Sequence, residues 1–273
     1  MSDTIPEFGK TGTGTGPAAA SLSMSATTAK ETAIIIMIAI VVIGGLEALL
    51  RYYEVPHYIL PTPSSIGQAF VKELPNLLPH WGYTLVTLLS GFTIGASIGL
   101  VLAAVITQKP FVEKIITPYV LILVTTPMLA LVPLLILRFG FGYTPRIIAV
   151  ALSVGPIVMM NAATGFRRTD SAKIALARSY NATTLQIFWK IRAPLAMPMI
   201  LVGLMMGSIF GMMTAVGAEM VGGGFGLGNR LTTYSSMINM PEFFAVIMIL
   251  SGMGMLIYVI FFLIGKKWAS WEA

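Results

Sequence analysis

The chain has no cysteine and only two histidines in 273 residues. Without thiols there is no disulfide framework and no thiolate nucleophile. His57 and His80 stand far apart, each in a stretch that reads as a loop, so they offer no paired imidazoles for a metal. Charge is also scarce. Asp, Glu, Lys and Arg make up 10% of the residues, against about 25% in an ordinary soluble domain. No convergent Ser/His set, carboxylate pair or metal cluster of the kind an enzyme needs is evident.

Apolar residues are abundant instead, at 56% of the chain with a mean hydropathy of +0.85. A bilayer core needs roughly 17–25 apolar residues per helix. Six windows meet this, at residues 32–50, 83–107, 115–137, 147–166, 195–218 and 243–265. They are longer and more continuous than the alternating segments of about ten residues that build membrane β-barrels. The expected class is therefore an all-α membrane protein with six transmembrane helices.

An even number of spans puts both termini on one side. Twelve of the seventeen Lys and Arg fall on that side. Basic residues concentrate on the cytoplasmic face, so both termini are expected there. The net charge of +6 follows from this topology, and no nucleic-acid partner is needed to explain it. Residues 1–30, rich in Gly, Thr, Ser and Ala, bury too little surface to order themselves and read as a flexible cytoplasmic tail. Residues 31–268 form the expected transmembrane domain.

Outside the spans, HYILPTPSSIGQAF suggests an extended entry at Pro61 and Pro63. Ser64 or Ser65 would then cap a short helix at the interface. VGGGFGLGNRL lacks the Gly-Lys-Ser/Thr ending of a phosphate loop and reads as a flexible gate or re-entrant turn.

The other exception to the apolar pattern is residues 167–194, which carry six of those twelve basic residues. Thr169 or Asp170 can cap a first helix, with Ile174, Ala177 and Tyr180 on one face. Asn181 tolerates a left-handed backbone and can end it. Thr183 and Gln186 have the spacing of a capping box and restart a helix. In it Leu185, Phe188 and Trp189 would form one apolar stripe, and Pro194 and Pro198 mark re-entry into the membrane. Such a basic, amphipathic insert could lie on anionic headgroups. It could equally be a docking element that offers an apolar knob to a cytoplasmic partner.

The insert also resembles a known pattern. Ala175-Leu176-Ala177, three residues, Asn181, nine residues, then Ile191-Arg192-Ala193-Pro194 is similar to the EAA loop of ATP-binding-cassette importer permeases. That loop reads Glu-Ala-Ala, three residues, Gly, nine residues, Ile-x-Leu-Pro. LPTPSSI, LLSGFTIGASIGLVLA, ALVPLLILRFGFG, AEMV and GFGLG resemble the subfamily of nitrate, sulfonate, taurine and bicarbonate importer permeases. That subfamily also carries pyrimidines, riboflavin and aromatic carboxylates. Ala175 replaces the Glu of the loop, Arg138 a usual Trp, and Pro241 a commonly acidic position.

The resemblance implies a type I (MetI-like) permease fold with cytoplasmic EAA coupling helices. It implies a bacterial inner-membrane location, two ATPase subunits, a second permease copy and an extracytoplasmic solute-binding protein. The chain itself would hold no cofactor, because ATP and magnesium sit on the ATPase subunits. Coupling would fall to Ala175, Ala177, Asn181, Leu185, Phe188, Trp189, Ile191 and Pro194. Cargo would be a small anion, or a pyrimidine- or flavin-type compound.

Polar residues within or near the spans are the path candidates. Glu219 could pair with Arg138 or Arg230, or line the path. Asn161 could bond a neighbouring helix or face cargo, and Arg138 could attract an anion. Gly91, Gly95 and Gly99 repeat every four residues and imply close helix packing. Pro118, Pro127 and Pro133 imply an interrupted third span. A secondary transporter or a channel is the alternative; neither explains the helical insert.

Overall fold

A computed structural model describes residues 29–268. The tail expected over residues 1–30 lies, but for its last two residues, outside that range. All regular elements among the described residues are helical. The chain divides into two units at Leu49 and Leu50. Helix α1 (Ala29–Tyr52) belongs mostly to the first and is an apolar helix of 24 residues. Glu31 in its first turn and Arg51 in its last suit the helix dipole.

Helix α2 (Pro63–Gln108) runs for 46 residues. The short interfacial helix expected here does not exist as a separate element. Pro63 has no N–H to leave unpaired, so it opens the helix, and the cap falls one residue earlier. Thr62, not Ser64 or Ser65, is that cap, and its hydroxyl accepts Ser65 N at 3.4 Å. The helix continues through Pro75 and Pro79 into the second span, which places His80 on a helix rather than in a loop.

Helices α3 (Pro110–Thr125) and α4 (Met128–Phe139) meet at 96°. The cause is local. A residue before proline is pushed out of the helical region, and Thr126, at ψ 126°, is extended before Pro127. Pro118 and Pro133 lie inside the two helices, so only Pro127 marks the break. Helix α5 (Tyr143–Arg167) follows, then α6 (Ser171–Ser179), α7 (Thr184–Ile187) and a π-helical turn, Phe188–Arg192. Helices α8 (Ala193–Gly222), α9 (Leu227–Ser236) and α10 (Met240–Trp268) complete the chain. Among the described residues five helical stretches are each long and apolar enough to cross a bilayer, and the bent pair makes six if it counts as one span.

Helix α5 sits between two rows of glycines. A Cβ on Gly95 would lie 3.0 Å from the Ala151 Cα, and one on Gly99 would lie 3.2 Å from the Val158 Cβ. On α8, Gly203, Gly207 and Gly211 repeat at the same spacing against a neighbouring face of α5, where Val150, Val154 and Val158 meet both rows. Cβ atoms there would lie 2.8–3.0 Å from Asn161, Val158 and Val154. Small residues every fourth position allow this approach. Three apolar clusters fill the remaining space among the described residues. One joins Leu88, Val150, Val154, Leu227 and Val246; another joins Ile106, Val120, Phe166, Phe188 and Ala196; a third joins Val132, Ala149 and Ala218.

Candidate functional site

Three places carry polar or unpartnered groups. The first is the helical insert. The Asp170 carboxylate accepts Ala172 N at 2.9 Å and caps α6. Asn181 takes φ +56° and turns the chain. Thr183 and Gln186 form both halves of the capping box, at 3.3 and 2.8 Å. The expected stripe is split. Leu185 and Trp189 are each 65% exposed, whereas Phe188 is 6% exposed and packs on Phe166 with ring centroids 5.1 Å apart. The π turn that begins at Phe188 departs from the 3.6-residue period on which the stripe was read.

Tyr180 likewise leaves the inner face and is exposed with Leu176. Ala175 is exposed, Ala177 and Ile191 are half-buried, and Pro194 lies in the first turn of α8. The outer surface of the insert is thus Leu176, Tyr180, Leu185 and Trp189, with Lys173, Arg178 and Lys190 also exposed. Arg167 bonds Glu113 at 2.6 Å and ties α5 to α3. The Arg192 Nε is buried with no hydrogen-bond partner among the described residues.

The second place lies at the opposite end of α8. Glu219 is 0% exposed. Its Oε2 accepts the Thr84 hydroxyl at 2.9 Å and Gly228 N at 3.0 Å, so it caps α9 from another helix. The Thr84 oxygen also accepts Leu227 N at 2.9 Å. His80 Nδ1 accepts Gly226 N at 3.1 Å. The expected partners of Glu219 are elsewhere. Arg138 is exposed and lies over the Phe139 ring, and the Arg230 Nε lies 3.0 Å from His80 Nε2.

The buried cation whose charge acts on Glu219 is Arg146, one residue before the span expected at 147–166. Arg146 donates to the Phe225 carbonyl at 3.0 Å and to the Gly223 carbonyl, and its guanidinium lies 4.0 Å from the Phe225 ring centroid. Gly223, Gly224 and Gly226 have φ of +60°, +82° and +97°, which a side chain would strain. The glycine loop is therefore held by side chains from α2, α5 and α8 and leads into a buried α9, unlike a free gate. Tyr234 of α9 donates to Glu73 at 3.0 Å. Burial, and next the Glu73 carboxylate, push its phenol up to about 12, so it stays a donor.

The third place is a cavity of about 450 Å³ at the α3–α4 break, walled by α5 and α8. Thr126, Ser153, Pro156, Phe210, Met213 and Thr214 line it, among others. None of Glu219, Asn161 and Arg138 does. The Asn161 side chain donates to the Ile157 carbonyl of its own helix at 2.9 Å. The hydroxyls of Ser153 and Thr214 were not singled out from the sequence. They meet because α5 packs directly on α8.

An all-helical, multi-pass chain with a broken span around a cavity and a helical insert at one end has the build of a membrane transport component. Residues 91–270 match the family described as binding-protein-dependent transport system inner membrane component, and the chain belongs to that family. It is a permease subunit of an ATP-driven importer, a system that also comprises an ATPase and a solute-binding protein.

Among curated relatives, a putative aliphatic sulfonates permease of Bacillus subtilis is 30% identical over 85% of this chain and 82% of its own length. A riboflavin transport permease of Chloroflexus aurantiacus is 28% identical over 80% and 82%. A probable ABC transporter permease of Haemophilus influenzae is 29% identical over 74% and 83%. The fold is that of solved importers. An amino acid ABC transporter chain aligns with a TM-score of 0.61 at 20% identity, covering 72% of this chain and 96% of its own. A chain of the MetNI methionine transporter aligns at 0.59 and 19%, covering 71% and 94%.

Proposed function

We propose that residues 167–194 are the surface through which the ATPase drives this permease, and that two copies of the chain pair to form the path. The observation that carries this reading is the insert itself. It holds Leu176, Tyr180, Leu185 and Trp189 out to solvent while Phe188 and Ile187 anchor its base. Exposed large apolar side chains on a short, well-capped element suit a partner's groove. Ala175, Ala177, Asn181, Ile191 and Pro194 set its turn and its entry into α8. The termini lie in the cytoplasm of a bacterial cell, the side with most Lys and Arg. ATP and magnesium are bound by the two partner ATPase subunits, and this chain makes no bond chemistry of its own. Closure of the ATPase pair moves the insert, and the spans pass between states open to either side. A binding protein delivers the cargo from outside. Relatives named for sulfonates and riboflavin support a small solute, either an anion or a flavin- or pyrimidine-type compound. Residues 31–268 form the permease domain and residues 1–30 a tail.

The test is co-expression with the ATPase, pull-down through this chain, and ATP hydrolysis in nanodiscs. The unaltered chain retains the ATPase. Leu185→Asp and Trp189→Asp reach the membrane in normal amount and lose it. If both variants retain the ATPase and normal hydrolysis, the insert is a headgroup-bound loop and the docking reading fails.

A further inference from the structure

The cavity at the α3–α4 break has a chemistry that selects among the cargo classes left open above. Three hydroxyls reach it, from Thr126, Ser153 and Thr214. The Thr126 hydroxyl gives its proton to the Ile122 carbonyl at 2.7 Å, so it turns only lone pairs to the cavity. The Thr214 oxygen lies 3.0 Å from the Ser153 oxygen and 2.9 Å from the Phe210 carbonyl. Thr214 donates to Ser153 Oγ, so Ser153 keeps its own proton and can turn either that proton or a lone pair inward. The site therefore presents acceptors at one wall and one adaptable donor at another. The remaining lining is Leu, Ile, Val, Pro, Phe and Met.

A sulfonate or nitrate presents oxygens that only accept. It would meet a single donor here, face the Thr126 lone pairs, and lose its hydration without a counter-charge. A planar, uncharged heterocycle that bears both a carbonyl and an N–H satisfies the two walls at once. Its faces lie against apolar surface, with Met213 supplying a soft contact. The volume of about 450 Å³ falls within the range of small-molecule pockets.

We infer that the α3–α4 cavity, between Thr126 and the Ser153–Thr214 pair, is a subsite on the path for an uncharged, amide-edged heterocycle rather than an oxyanion. The inference rests on the permease reading. Glu219, Arg138 and Asn161 are then not the groups that read the cargo. Glu219 and Arg146 hold the far end of α8, and Asn161 is occupied by its own helix.

The chain has no cysteine, so a single thiol can be placed in the assembled importer without removing any other. Leu152→Cys and, separately, Ile157→Cys, at apolar lining positions that leave the three hydroxyls in place, are introduced into permease–ATPase complexes in nanodiscs. Their labelling by N-ethylmaleimide is timed with uracil, riboflavin, taurine or nitrate present. Ser179→Cys, on the exposed end of α6, serves as the unprotected control. Uracil or riboflavin should slow labelling of at least one cavity thiol about fourfold at three times its dissociation constant, since only the free fraction reacts. Taurine and nitrate should leave the rate unchanged. Protection by taurine or nitrate, or by none of the four, overturns the inference. Retention of the ATPase by the same complexes is scored separately. Its loss would instead count against the permease reading.

Discussion

Phe188 and Trp189 are adjacent in the chain and opposite in surroundings, so they separate packing from docking. Phe188 is buried against Phe166 at the base of the insert. Truncating it to Ala should cost about 3–5 kcal/mol and lower the thermal midpoint in detergent. Trp189→Ala should leave that midpoint almost unchanged and weaken ATPase retention. A second residue-level prediction concerns the glycine rows. Gly95→Val forces a branched side chain against the Ala151 backbone and should destabilise the fold by about 1–3 kcal/mol or more, read as lower yield and melting temperature. A third concerns pH. The Tyr234 phenol has a raised pKa of about 12 in the fold, against about 10 unfolded. The folded state therefore holds the proton more tightly. Its contribution is fully present below about pH 10 and is lost as pH rises from about 10 to about 12. Tyr234→Phe should remove that part of the alkaline loss of stability.

Among elements, α9 is held at its start by side chains from other helices. Its first amides bond Glu219 and Thr84, which come from α8 and α2. Glu219→Ala removes the acceptor for Gly228 N and leaves the Thr84 hydroxyl only the His80 carbonyl, at 3.2 Å, to donate to. Hydrogen exchange at residues 226–228 should quicken. Glu219→Gln keeps an acceptor oxygen and should protect most of it. This cap was invisible in the sequence because its donors are backbone N–H groups and its partner Thr84 lies 135 residues away. The spans themselves were plain, since a continuous apolar run of that length has few other uses in a helix. The capping box and the Asn181 turn were plain for a related reason: each depends on a few neighbouring residues. Local signals failed where two of them compete. The helix expected to be short after Pro63 instead runs on through Pro75 and Pro79. Pro118, Pro127 and Pro133 looked alike, yet only Pro127 ends a helix. The π turn broke the spacing that had grouped Phe188 with Leu185 and Trp189.

For the whole molecule, the open question that the bend raises has a direct readout. If α3 and α4 cross the bilayer together, Tyr58 and Ser236 face the same side; if the pair turns back, they face opposite sides. Both are exposed. With Tyr58→Cys and Ser236→Cys examined singly, a membrane-impermeant maleimide should reach both from outside intact cells. Ser179→Cys should react only after the cells are opened. Reaction of Tyr58→Cys and Ser236→Cys from opposite sides would reduce the count to five spans and put the two termini on different faces.

At 1.5 Å per residue, the 46 residues of α2 extend about 69 Å, more than twice the roughly 30 Å hydrocarbon core. One helix therefore carries Glu73, His80 and Thr84 near one end and the Gly91–Gly99 seam farther along. Pro75 and Pro79 each remove a backbone hydrogen bond, so the outer stretch can bend there while the seam stays held by α5. The two prolines thus form an elbow between the end that Tyr234 holds through Glu73 and the end gripped inside the bundle.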